Sequence, residues 1–250
     1  MRYYKEGENL YTTKKMLSKL RKAIDDYKMI EKGDKIAIGV SGGKDSVTLL
    51  VLLAELQKFY PQEFTIHAIS LDAGIDPTDF SPLKDLCAKI NIPLHVEQTV
   101  IGQIVYNSKH DKNPCSLCAN LRRGALNNIA KELNCNKVAL GHHKDDAIET
   151  LIMSLFYEGR INCFYPVTYL KKQNIEVIRP LIYIEEKNIK AYCNKTNLPI
   201  IKNNCEFDGK TIRQSVKDML NNLHNQNKYI KKNIFGAIKR STIEGWDTKD

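Results

Sequence analysis

The sequence predicts an α/β protein, a doubly wound parallel sheet with helical N- and C-terminal flanks. Three observations carry that expectation. Short apolar runs rich in β-branched residues alternate with longer segments in which apolar residues recur every three to four positions, and strands alternating with helices pair in parallel. A chain of 250 residues suffices for one sizeable core with appendages, and 42% hydrophobic with 27% charged residues is an ordinary globular composition. The longest apolar stretch, near Val47–Leu56, is interrupted by Thr48 and Glu55 and reaches about half of a bilayer span.

The elements follow in order. Leu17, Leu20, Ile24 and Tyr27 share one face of an N-terminal helix that Gly33-Asp34 ends. Lys35–Val40 reads as a strand and Ser46–Tyr60 as a helix closed by Pro61. Phe64–Leu71 is the next strand, and Ser81–Ile90 a helix with Pro82 in its first turn. Then come a strand over Pro93–Val100, a helix over Cys115–Leu133, a strand over Lys137–Gly141, a helix over Asp145–Tyr157 and a strand around Ile175–Ile178. From Glu185 onward the pattern is helical, in at least three short pieces. The organisation expected is an N-terminal helical segment over residues 1–32, an α/β domain over 33–184 and a C-terminal helical region over 185–250.

The net charge of +9 is unevenly spread. Residues 36–159 carry 11 Lys and Arg against 14 Asp and Glu, a balance of −3, while residues 1–35 and 160–250 together carry +12. An acidic middle with basic flanks suits a phosphate polymer as partner. The start, Met1-Arg-Tyr-Tyr-Lys-Glu, has no apolar core for a signal peptide, so a soluble cytoplasmic chain without a membrane partner is expected. Seven cysteines are an odd number and too sparse for a disulfide scaffold, which leaves thiols or metal ligands.

Where the first strand ends the chain reads Ser41-Gly42-Gly43-Lys44-Asp45-Ser46, and a helix begins at once. Two glycines let backbone N–H groups face a ligand, and the helix N-terminus favours an anion there. A Walker loop fails because Lys44 precedes Asp45 and position 38 is Ile; a dinucleotide fingerprint fails for want of a third glycine. Cys115 and Cys118 open a later helix after Pro114 and lie on one helical face, where the dipole favours thiolates. A dithiol redox pair is out of context there, and a structural zinc lacks a second ligand pair. Cys205, in the polar loop Lys202-Asn-Asn-Cys205-Glu, is a third thiol that could close a three-thiolate iron–sulfur site with one iron open. Cys87, Cys135 and Cys193 read as buried thiols among apolar neighbours.

The loop resembles, at every position, the SGGxDS signature of the ATP-pyrophosphatase (PP-loop) superfamily. That resemblance implies that Ser41, Gly42, Gly43, Lys44, Asp45 and Ser46 hold the β- and γ-phosphates of ATP and that Asp45 serves Mg2+. Leu71 and Asp72, at the end of the second strand, stand where such folds place nucleotide contacts.

Ala23–Ile30, Cys115-Ser-Leu-Cys118-Ala-Asn-Leu-Arg122-Arg123-Gly124, Ala139-Leu-Gly141-His142-His143-Lys-Asp145-Asp146 with Glu149-Thr150, Arg179-Pro-Leu and the late Cys205 together resemble the tRNA 2-thiocytidine biosynthesis family over about Lys15–Lys239. The resemblance implies ATP-dependent adenylation of a pyrimidine C2 carbonyl, that of the cytidine opening the anticodon loop, and its replacement by sulfur. It implies a [4Fe–4S] cluster on Cys115, Cys118 and Cys205, with ATP, Mg2+ and tRNA. The sulfur donor would be a cysteine desulfurase or free sulfide, and a homodimer is possible.

Gly141, His142, Asp145 and Asp146 would complete the nucleotide site, with Lys44, Asp45, Arg122 and Asp146 as the catalytic set. Lys228, Tyr229, Lys231, Lys232, Lys239 and Arg240 would offer an RNA-backbone surface. Related activities are weighed by their ligands. A lysidine-forming synthetase needs no cysteine triad, uridine thiolases carry additional CxxC pairs, and a non-catalytic Fe–S RNA-binding module would not need the loop with Asp45 and Asp146.

Overall fold

The computed structural model describes residues 8–74, 78–108, 114–201, 211–241 and 243–246, with side chains from Thr12 onward. Its centre is β1 (Lys35–Gly39), whose three middle residues are buried, as a strand covered on both faces must be. β2 (Thr65–Asp72) and then β3 (Leu94–Gln98) lie on one side of it. β4 (Lys137–Ala139), β6 (Ile175–Ile178) and the edge strand β5 (Val167–Leu170) lie on the other. Five strands run parallel in the register Ile36↔Ile66, Ile36↔Lys137 and Lys137↔Glu176, so their carboxyl ends share one edge of the sheet.

β5 adds an antiparallel edge to the expected parallel sheet: it pairs with β6, Thr168 opposite Val177. The four residues between β5 and β6 are too few for a helical crossover, so the chain must return as a hairpin. β5 escapes a sequence reading because it is short and none of its residues is fully buried.

The helices are α1 (Glu8–Asp26), α2 (Lys44–Gln57), α3 (Ser81–Lys89), α4 (Ile101–Asn107), α5 (Pro114–Glu132), α6 (Lys144–Tyr157), α7 (Glu186–Thr196), α8 (Ile212–Gln226) and α9 (Ile230–Arg240). α4 is a second element absent from the sequence reading; seven residues without a side-chain cap give little periodicity to read. Asn91, Asn134 and Asn197 stop α3, α5 and α7 in left-handed conformation, a role asparagine fills where glycine is absent. α2 is apolar almost all round because it packs on the sheet, on α1 and on α7; ten of its fourteen residues are buried. α5 covers the opposite face, placing Leu126, Ile129 and Ala130 on Ala37, Ile69 and Val138.

The C-terminal helices close over α2 and α6. Trp246, fully buried, meets Tyr27 and Phe235 edge-on at 6.3 and 5.7 Å and donates from Nε1 to the Phe164 carbonyl at 3.1 Å. One side chain thus ties the first helix, the last helix and the approach to β5. Trp246→Ala is expected to cost about 3–5 kcal/mol, roughly 10 °C in melting temperature. A thermal melt within about 2 °C of the parent would contradict this packing role.

Candidate nucleotide site and cysteine helix

The turn between β1 and α2 is held by its own serines. Ser46 Oγ donates to the Gly43 carbonyl at 3.0 Å, accepts from Ser41 N at 3.1 Å and lies 3.1 Å from Ser41 Oγ. Gly42 adopts a φ of +80° and carries Ile201 so closely that a Cβ would come within 2.7 Å of it; Ile201 N donates to the Gly42 carbonyl at 2.9 Å. Gly141, past β4, presses on the start of α2, where a Cβ would meet backbone atoms of Asp45 and Ser46 at 3.0 and 3.1 Å. The N-cap of α2 is Gly43, which offers no side-chain acceptor. Its first N–H groups are therefore available to an anion.

The end of β2 is a shaped edge. Asp72 is buried and its Oδ1 accepts from Gly74 N at 3.0 Å, while its carbonyl accepts from Thr99 N and Oγ1 at 3.0 and 2.7 Å. Leu71 packs partly against the core on the α5 face. Both predicted residues stand at the carboxyl edge, with the Asp72 carboxylate engaged in its own turn.

Charge is concentrated behind the loop. Lys44 Nζ bonds Asp45 Oδ2 at 2.8 Å and Glu186 Oε1 at 3.1 Å. Burial works most strongly against the Lys44 charge, yet Asp45 and Glu186 together hold its pKa above the usual lysine range. Asp45 Oδ1 is buried with no hydrogen-bond partner among the described residues, and His143 Nε2 stands 3.6 Å away. His143 caps α6: its Nδ1 accepts from Asp146 N, and Asp146 Oδ2 accepts from His143 N at 2.9 Å. With Nδ1 an acceptor, Nε2 is the ring nitrogen left to donate, and it faces Asp45. An orphaned carboxylate oxygen beside unfilled amide groups suits a hard cation bound together with phosphates.

Asp145 and Asp146 diverge. Asp145 is buried; its Oδ1 takes Lys231 Nζ at 2.9 Å and its Oδ2 takes Glu186 N at 2.8 Å. It joins α6 to α7 and α9. This corrects the reading of Lys231 as part of an open RNA surface, because a buried carboxylate holds it; Lys228 and Lys232 remain exposed.

Glu186 was not singled out by the sequence, nor were Lys217 and Arg213. Glu186 Oε1 receives Lys44, Lys217 at 2.9 Å and Lys190 at 3.3 Å. Arg213 reaches Glu149 Oε2 and Thr150 Oγ1 at 3.4 Å and Asp146 Oδ1 at 3.7 Å. Burial first, and Asp146 second, push the Glu149 carboxyl up. A lysine or arginine in a basic amphipathic helix gives no sequence signal of the carboxylate it will meet.

His142 packs its ring on Phe164, centroids 5.1 Å apart, with Nδ1 buried and unbonded among the described residues. Burial, and secondly the charge of Arg179, push its pKa down to about 4. On α5, Cys115 is exposed and Cys118 half-buried on the first turn; Arg122 is half-buried and Arg123 exposed one turn on. Cys205 lies outside the described residues, among which no group of three or more His, Cys, Asp or Glu is gathered for a metal. The residues on either side of it are placed, however: Ile201 on Gly42, and Arg213 on α6. Cys87, Cys135, Cys163 and Cys193 are buried, and burial pushes the Cys163 thiol up to about 12. No helix among the described residues is long and apolar enough to cross a membrane.

Comparison with known proteins places this arrangement. Residues 12–223 match the family model described as the PP-loop domain. The chain is 37% identical to a tRNA-cytidine(32) 2-sulfurtransferase of Pelobacter propionicus over 87% of this chain and 82% of that protein. It is 36% identical to one of Geotalea uraniireducens over 92% of each, and 38% to one of Shewanella baltica over 91% and 74%. Among solved structures, the U34-tRNA thiolase NcsA from Methanococcus maripaludis with its [4Fe-4S] cluster superposes with a TM-score of 0.74 at 25% identity, over 93% of this chain and 79% of that one.

Burial opposes the Glu186 charge, but Lys217 and Lys44 outweigh it and bring its pKa from 4.5 to about 2. A folded pKa below the unfolded one means stability that is complete above about pH 4.5 and lost as the pH falls toward 2. Glu186→Gln should therefore melt about 4–8 °C lower at pH 7, for a loss of roughly 2 kcal/mol, with the gap to the parent narrowing below about pH 4. A gap that is constant with pH would contradict the charge network.

Proposed function

This chain belongs to the family of tRNA-cytidine(32) 2-sulfurtransferases built on a PP-loop domain, and from that membership we infer that it thiolates the C2 position of a cytidine in the tRNA anticodon loop at the expense of ATP. The observation that carries the reading is Asp45. Its Oδ1, beside the uncapped start of α2, is buried without a hydrogen bond among the described residues, which suits a Mg2+–triphosphate site.

The residue roles belong to the same proposal. Ser41, Gly42, Gly43 and Ser46 shape the loop whose N–H groups receive the β- and γ-phosphates. Asp45 would hold Mg2+ through Oδ1, and the ion would draw charge from the phosphates. Lys44 neutralises the pyrophosphate as it leaves, released from Glu186, which retains Lys217. Leu71 and Asp72 bound the nucleoside edge, Gly141 lets β4 approach the loop, and His142 faces the acceptor side. Asp146 orients His143 toward Asp45, and Asp145 acts as a positioning residue through Glu186. Arg122 stabilises charge at the α-phosphate.

The C2 carbonyl is a poor electrophile because its oxygen leaves badly. Attack by that oxygen on the α-phosphorus releases pyrophosphate and turns the oxygen into part of an AMP leaving group; sulfur then takes its place at C2 as AMP departs. A [4Fe–4S] cluster held by Cys115, Cys118 and Cys205 supplies the sulfur when bound, and two accessible thiols on one helical turn fit as two of its ligands. The donor upstream is a cysteine desulfurase or free sulfide. A homodimer belongs to the same proposal; exposed Phe156, Tyr157 and Ile161 are apolar surface of the kind such a contact uses. The likeness to a U34-tRNA thiolase favours a uridine acceptor as a second reading, and the higher identity to cytidine-directed relatives favours the first.

Anaerobically prepared protein is expected to carry about four iron and four sulfide per chain. Stoichiometric zinc without acid-labile sulfide, or an unchanged cluster spectrum in Cys205→Ala, contradicts the ligand set. Asp45→Ala is expected to keep the fold and the cluster absorbance while abolishing ATP-dependent thiolation of tRNA. Activity within about tenfold of the parent, a barrier change of only ~1.4 kcal/mol, contradicts the role given to Asp45.

A further inference from the structure

Arg179 closes β6 at the carboxyl edge of the sheet, and none of the steps above uses it. Its guanidinium donates from Nη1 to the Tyr165 carbonyl at 2.6 Å and to Thr168 Oγ1 at 3.1 Å, both neutral acceptors. Among the described residues its buried Nε has no hydrogen bond and no carboxylate pairs with it. A guanidinium withdrawn from water without a counter-ion is costly, by several kcal/mol. Its charged surroundings make matters worse: Arg123 of α5 adds to burial in pushing its pKa down to about 10.

Beside it lies the second orphan of this region. His142 follows β4, its Nδ1 buried and unbonded among the described residues, and Phe164 is in contact with both groups. The guanidinium carbon lies 5.0 Å from the Phe164 ring centroid and the imidazole centroid 5.1 Å from it. Phe164 is itself fixed, since Trp246 bonds its carbonyl and Gly245 leaves no room beside Tyr165, where a Cβ would come within 2.8 Å of the ring. Two unsatisfied nitrogen groups and an excess of positive charge thus share a rigid frame.

We propose that Arg179, with His142 and Phe164, forms an anion site on the acceptor side of the active centre and takes a backbone phosphodiester of the RNA next to the target nucleotide. The inference rests on the tRNA-thiolation reading. The nucleotide's own phosphates are accounted for at β1, and β6 lies two strands away, roughly 10 Å at the usual strand spacing. The β2 edge is on the far side of β1. The charge of Arg123 is felt at Arg179, and Arg123 lies on the helix that opens with Cys115 and Cys118. A planar guanidinium offers paired N–H groups to a phosphodiester, and backbone contacts of this kind set the register of the bound nucleic acid.

The test measures binding by full-length parent and variant. Arg179→Gln should weaken the affinity for an anticodon stem-loop RNA about tenfold, leave the affinity for a non-hydrolysable ATP analogue within about twofold, and raise KM for tRNA more than it lowers kcat. A neutral methylphosphonate at one linkage flanking the target cytidine should weaken the parent comparably and cost the variant nothing further. Arg179→Lys, which keeps the charge and loses the fork, should fall between; if Arg179→Gln does not fold, it carries the comparison.

RNA affinity equal to the parent's in a folded variant, or methylphosphonate losses that simply add to the variant's, would overturn the site. Loss of analogue affinity with RNA binding intact would mean that the anion is a phosphate of the nucleotide, and would overturn it equally. A parent that binds no tRNA at all would overturn the functional reading beneath it.

Discussion

One carboxylate, Glu186, carries the charge balance of the whole junction. Lysines from α2, α7 and α8 converge on its Oε1, and its backbone N–H holds Asp145, whose other oxygen holds Lys231 of α9. Isolated exposed pairs contribute about 0–1 kcal/mol each, so their number alone would mean little. Here Asp145 and Glu186 are buried, both Asp145 oxygens are bonded and three lysines share Glu186 Oε1, which makes removal of one partner expensive for the rest. The phosphate loop and the C-terminal helices are therefore one electrostatic unit. What happens to Lys44 when phosphate arrives is felt by α7 and α8.

That coupling matters because the two chemistries of the site come from distant parts of the chain. The phosphate loop is formed by residues 41–46 and the cysteine pair by the start of α5, while the third cysteine lies past residue 200. Ile201 sits on Gly42, and Arg213 holds Asp146 and Glu149. Adenylation of the C2 oxygen and its replacement by sulfur must follow one another at the same carbonyl. The parallel sheet makes this possible by bringing the ends of β1, β2, β4 and β6 to one edge.

The parts legible in the sequence were those with a local signature. Ser41–Ser46 follows a strand and opens a helix, and a left-handed φ at Gly42 calls for glycine there; the cysteine pair sits at three-residue spacing after a proline. The strands around β1 declared themselves as continuous apolar runs. β5 did not, because an edge strand of four half-exposed residues has neither a buried run nor clean alternation. Nor did α4. The ionic partners were illegible for a different reason: Glu186, Lys217, Arg213 and Lys231 lie in amphipathic helices whose polar faces look alike, and only the docking of those helices says which charge meets which. Lys231 shows the consequence, since a surface reading placed it on RNA and the fold places it on Asp145. Arg179 was visible as part of a family pattern, but its isolation from any described carboxylate is a property of packing.

The account is tested most directly by nucleoside analysis of bulk tRNA from a strain lacking this chain. It predicts that 2-thiocytidine disappears while the other thionucleosides persist, and that it returns with the parent chain but not with Asp45→Ala. An undiminished 2-thiocytidine level, or the loss of a thiouridine in its place, would contradict it.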